Sequence, residues 1–143
     1  MKNIIFVCHG NICRSVAAEY IAKDLDKEKR FSIISRATSL EEIGNDIYPP
    51  MKRELNRQSI PFSYHHATRI TKKDYDWADV IFYMDDNNLY YLNRMFIDKD
   101  NKFKPVYSFT NGIDEIEDPW YTGNFAKVVN QLKRCIEDIL VNI

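Results

Sequence analysis

Ile4-Ile5-Phe6-Val7 is an unbroken apolar run that ends on Cys8 and gives way at once to the polar stretch His9-Gly10-Asn11. A strand with one wet face alternates apolar and polar residues. Four apolar residues in a row therefore point to a central parallel strand covered on both sides. Parallel neighbours require crossover connections, usually helices, and the chain supplies them. Ala17, Ala18, Ile21 and Leu25 recur at helical spacing among good helix formers. Phe31 to Ala37 reads as a second strand around Ile33-Ile34, and Pro49-Pro50 opens a helix through Arg57, because proline is tolerated in a first turn. Thr71-Lys72-Lys73-Asp74 has the form of a capping box before a short helix. Asp79 to Met84 is the third strand, and Asp85 an N-cap for a helix through Leu89 and Leu92. A weaker strand is expected around Pro105-Val106-Tyr107, followed by an acidic loop from Asp114 to Tyr121. The last segment places Phe125, Val128, Val129, Leu132, Ile136, Ile139 and Leu140 on one helical stripe. This alternation predicts an α/β open sandwich, a four-stranded parallel sheet flanked by helices, with its ligand at the carboxyl ends of the strands.

The 143 residues contain no repeat, low-complexity tract or linker, so one domain over residues 1–143 is expected. That length can bury a core without staples. A formal net charge of −1 gives no overall basic field for nucleic acid or an anionic membrane surface, so any anion must be recognised locally. The apolar start is too short for an export signal, and no later run is long enough to span a bilayer. Three cysteines, an odd number, suit reduced thiols and a cytoplasmic address. Cys135 falls beside the last helix's apolar stripe and reads as core.

The turn after the first strand carries the chemistry. Cys8-His9-Gly10-Asn11-Ile12-Cys13-Arg14-Ser15 sets a cysteine and an arginine, five residues apart, between a buried strand and a helix, with a glycine where backbone must come close to a ligand. Successive amides in such a turn form an anion-binding nest, and the helix N-terminus adds positive potential. Arg14 offers a planar fork to two phosphate oxygens. The same field favours a negative charge on the Cys8 sulfur.

Val7 to Ser15 resembles the signature loop of the low-molecular-weight protein tyrosine phosphatases. The resemblance continues through Ser35-Arg36-Ala37-Thr38-Ser39, Ile43-Gly44-Asn45, Arg69 to Tyr75, Tyr83 to Leu89 and Glu117-Asp118-Pro119-Trp120-Tyr121. It implies Cys8 as nucleophile, Arg14 as phosphate clamp and Asp118 as general acid. His9, Gly10, Asn11, Ile12, Cys13 and Ser15 would complete the phosphate cradle, while Trp120 and Tyr121 line the cleft. Ser15 would donate to the thiolate, and Asn11, supported by Ser35 and His65, would hold the loop in shape. The acid is chemically necessary, because a phenolate with a pKa of about 10 leaves poorly unprotonated. The resemblance implies phosphotyrosine proteins as substrates, a monomer with weak self-association at most, and no cofactor or metal.

The sequence departs from the family pattern at three places. Val16 replaces a common proline, Glu41 stands where many members place an aromatic wall, and Tyr64-His65-His66 is one residue longer than usual. Arsenate reductases resemble this loop but need further cysteines around residues 75–90, where this chain has none. The arginine-phosphatase branch carries threonine at the position of Ile12. A phosphotyrosine-binding module without turnover would have no use for Asp118. Cys13, so near Cys8, reads as a partner for an oxidised nucleophile ahead of simple packing.

Overall fold

Both faces of the first strand are covered in the computed structural model, which describes residues 1–143. β1 (Lys2–Cys8) pairs in parallel with β2 (Phe31–Ala37) on one side and with β3 (Val80–Tyr83) on the other. β4 (Phe103–Pro105) joins β3 at the far edge, giving the all-parallel four-stranded order β2-β1-β3-β4. Ile4, Ile5, Phe6 and Val7 have no exposed surface. Alternate side chains enter two separate cores. Ile4, Phe6 and Cys8 join the larger cluster, which includes Val16, Met51, Leu132 and Ile136, while Ile5 and Val7 join Tyr75, Ile81 and Leu92. That parity decides which face of the sheet receives the Cys8 side chain.

The larger core lies beneath α1 (Arg14–Leu25), α2 (Pro49–Arg57) and α6 (Phe125–Asn142). The smaller lies beneath α3 (Lys72–Trp77) and α4 (Asp86–Met95). α1 is buried on every side over Arg14–Glu19, because α6 covers the flank that a surface helix would leave wet. The capping box at Thr71 is complete, with Asp74 N donating to Thr71 Oγ1 at 3.2 Å and Thr71 N to Asp74 Oδ2 at 2.9 Å.

Two expectations shift. The fourth strand ends at Pro105 rather than being centred on Val106: Val106 N still donates to Tyr83 O at 2.8 Å, but the chain turns at once, Ser108 N donating to Pro105 O at 3.0 Å. The expected acidic loop closes into a short helical turn, α5 (Pro119–Thr122). Pro119 presets its first residue, Asp118 caps it by accepting from Trp120 N at 3.0 Å, and Gly123, at φ 75°, ends it. No helix is long and apolar enough to cross a membrane.

Candidate active site

Between the end of β1 and the start of α1, residues 9–13 must turn over the carboxyl edge of the sheet. Asn11 makes the turn by taking φ 61°, in the left-handed region that asparagine tolerates better than most residues. Its side chain locks that shape. Nδ2 donates to Ser15 Oγ at 2.8 Å and to Ser35 Oγ at 3.0 Å, and Oδ1 accepts from Thr68 N at 3.2 Å. His65 Nε2 lies 2.7 Å from Asn11 O and carries the proton, since a carbonyl can only accept. Burial pushes the His65 imidazole below its ordinary range, partly opposed by that hydrogen bond. His65 is therefore the histidine against the loop, whereas the His66 ring packs edge-on against Tyr64.

The hydroxyl directions follow from counting protons. Ser35 Oγ lies 2.6 Å from the carboxylate Glu19 Oε1, so its single proton goes there and it accepts from Asn11. Asn11 then has both N–H groups engaged, and Ser15 Oγ accepts one of them. The Ser15 proton is left for Cys8 Sγ, 3.0 Å away. Asn11 N at 3.3 Å and Ser15 N at 3.4 Å point at the same sulfur. Three donors converge on Cys8, the surroundings an anionic sulfur requires.

Arg14 is 2% exposed. Its Nη1 donates to Asp85 Oδ2 at 2.7 Å and to Ile116 O at 2.9 Å, and its Nη2 lies 3.5 Å from Asp118 Oδ2. Burial works against the guanidinium charge, but Cys8 and Asp85 outweigh it and raise the Arg14 pKa. Asp85 serves twice, because its Oδ1 also caps α4 through Asn88 N at 2.8 Å. Sequence reasoning found the cap and missed the arginine. The available signal was its place at the carboxyl end of a strand, where sheet ligands bind.

One cleft gathers Cys8, His9, Gly10, Asn11, Ile12, Cys13 and Arg14 with Glu41, Glu42, Asp118, Trp120 and Tyr121. Every expected cradle residue lines it except Ser15, which has no exposed surface and turns its hydroxyl to the Cys8 sulfur beneath. A Cβ on Gly10 would stand 3.2 Å from Glu42 Cγ, so close approach of the next loop favours glycine there. The Trp120 ring rests on Tyr48, with centroids 4.6 Å apart. Burial drives the Cys13 thiol far above its usual range, with Cys8 and Asp118 adding to the effect. His9 Nε2 meets Glu41 Oε2 at 2.9 Å across the mouth. Glu42 was also absent from the sequence reading, since nothing in its spacing marks it.

Comparison with known proteins identifies relatives of this arrangement. Residues 3–143 match the family described as low molecular weight phosphotyrosine protein phosphatase. The human low molecular weight phosphotyrosine protein phosphatase is 37% identical, over 97% of this chain and 94% of its own length. Low molecular weight protein-tyrosine-phosphatase YfkJ of Bacillus subtilis is 33% identical, over 100% of this chain and 96% of its own. The YfkJ crystal structure superposes with a TM-score of 0.94 at 32% identity, covering 100% of this chain and 94% of that one. The Streptococcus pyogenes enzyme SP-PTP, a low molecular weight protein tyrosine phosphatase, gives 0.92 at 32% identity, covering 100% and 93%.

Proposed function

This chain belongs to the low molecular weight phosphotyrosine protein phosphatase family, and from that premise we propose that it hydrolyses phosphotyrosine in proteins through a phosphocysteine intermediate, as a single domain. The observation that carries the mechanism is the convergence of three donors on the Cys8 sulfur inside a cleft that also holds the Arg14 guanidinium and the Asp118 carboxyl. The phosphate of the ester sits in the turn of amides, where Arg14 Nη2 faces its oxygens while Nη1 stays anchored to Asp85 and Ile116 O. Cys8 Sγ attacks phosphorus in line with the phenolic oxygen. As the P–O bond breaks, Asp118 delivers its proton to that oxygen and tyrosine leaves neutral. In the second step Asp118 takes a proton from water, the water oxygen bonds to phosphorus, and the S–P bond breaks. Ser15 donates to the departing thiolate. The amides and Arg14 meet the charge on the equatorial oxygens throughout.

Substrate choice rests on Ile12 and the aromatic wall. Ile12 gives a phenyl ring an apolar face but offers a guanidinium no acceptor, so the N–H donors of phosphoarginine would be desolvated without partners. Trp120, held by Tyr48, adds aromatic surface. A panel of phosphotyrosine, phosphoserine and phosphoarginine peptides tests this reading. Phosphotyrosine should have the highest kcat/KM, and Ile12→Thr should erode the margin over phosphoarginine. A wild-type preference for phosphoarginine would overturn the assignment.

A further inference from the structure

The charges around the cleft are arranged unevenly. The lining residues include one permanent cation, Arg14, which lies at the floor with Asp85 already against it. At the mouth stand Glu41 and Glu42, consecutive residues of the turn after β2. Neither carboxylate meets a lysine or arginine. Glu41 pairs only with His9 and has a side chain 68% exposed, and the Glu42 carboxylate accepts only from the neutral amide of Asn45, at 2.7 Å. Glu117, by contrast, is close to the same site in sequence but is held by Lys127 at 2.5 Å and by Asn124. The rim thus has two carboxylates without a permanent countercharge, directly beside a cradle built for a phosphate.

A phosphopeptide brings two parts to this site. Its phosphate goes to the floor and its ring lies between Ile12 and the Trp120 side, so the main chain and the flanking side chains come to rest at the mouth. There a negative rim repels acidic flanks, and it also opposes the approach of the phosphate dianion unless a nearby positive charge offsets it. Glu42 has little freedom to withdraw, because its stem packs over Gly10 and its head is tethered to Asn45.

On the reading that the site turns over phosphotyrosine, we propose that Glu41 and Glu42 select peptides carrying lysine or arginine next to the phosphotyrosine. They are specificity residues that touch the flanks, outside the bond-making machinery of Cys8, Arg14 and Asp118.

The test compares two phosphotyrosine peptides that differ only in having lysine or glutamate on both sides of the phosphotyrosine. They are assayed on the wild type, on the double variant Glu41→Gln/Glu42→Gln, and on Glu41→Lys. In low salt the wild-type kcat/KM should favour the lysine peptide by about three- to ten-fold, since exposed charge pairs are individually weak. The ratio should shrink as ionic strength rises above about 0.1 M, where the screening length falls below roughly 10 Å. It should approach one in the double variant and also in Glu41→Lys, where the new cation offsets Glu42. Glutamine keeps the size of both side chains and an acceptor for Asn45, so the fold is preserved. Equal turnover of both peptides by the wild type, or a preference that survives in the double variant, would overturn the proposal while leaving phosphotyrosine hydrolysis intact. Failure to hydrolyse either peptide would remove both.

Discussion

At the scale of single residues, Cys8 and Arg14 stood out in the sequence because an anion-binding turn needs those side chains at a strand end and a helix start, while Asp118 stood out only through the family resemblance. Their partners did not. Glu19 and Glu42 lie on segments with no motif of their own, Asp85 read only as a helix cap, and only the folded chain brings Glu19 to Ser35 at 2.6 Å and Asp85 to Arg14 at 2.7 Å. The acid role proposed for Asp118 makes a sharp kinetic expectation. Asp118→Asn should slow hydrolysis of alkyl-substituted phenyl phosphates by about 10²-fold or more and that of p-nitrophenyl phosphate far less, because a good leaving group needs no proton. An equal loss on both would mean that Asp118 only caps α5. Cys13 invites a second test. Peroxide would convert the Cys8 thiolate to a sulfenic acid, and attack by the Cys13 sulfur would form the S–S bond and release water. Since burial keeps the Cys13 thiol protonated far above its usual range, this closure should speed up as pH rises. Peptide mapping after mild peroxide should find the Cys8–Cys13 disulfide, reversible by thiol. Cys8 sulfinate with free Cys13 would rule the pairing out.

Among the elements, β1, β2, α2 and the capping box of α3 were legible because local rules and burial agree there: an apolar run, a Pro-Pro start, a Thr-x-x-Asp pair. β4 was misplaced because the chain turns straight after Pro105, and α5 was missed because Pro119 starts a helical turn inside a stretch that reads as an acidic loop. Asp85 joins element to site. It caps α4 through Oδ1 and anchors Arg14 through Oδ2, so two substitutions separate the roles. Asp85→Asn keeps a good N-cap but removes the carboxylate that faces the buried guanidinium, and should lower kcat/KM by about ten-fold or more, with some loss of stability from the broken ion pair. Asp85→Ala should lose a further ~1 kcal/mol or more of stability with the cap. Thermal melts alongside phosphotyrosine kinetics check both. Equal activity of Asp85→Asn and wild type would show that Arg14 is oriented without the Asp85 carboxylate.

For the molecule as a whole, the same sheet that buries β1 on both faces lifts Cys8 to its carboxyl edge, and the loop is then held from outside by residues distant in sequence. His65 is one such hold, and it links folding to pH. Its folded pKa is lowered by burial, so the unfolded chain binds the proton more readily than the native one. Its contribution is present above the unfolded value of about 6.5 and is lost as pH falls through the lowered folded value. Urea midpoints of the wild type should therefore fall between about pH 7.5 and pH 5.5, and those of His65→Gln should fall less over the same interval. Identical slopes would place the pH dependence elsewhere. The central claim, that the cradle exists to make a phosphocysteine, has a more direct test. Rapid acid quench of the enzyme during turnover of a phosphotyrosine peptide, followed by mass spectrometry, should find phosphate on the Cys8 peptide. Cys8→Ser should show none and no turnover, while still binding vanadate. Phosphate on any other residue, or substantial hydrolysis by Cys8→Ser, would contradict the mechanism.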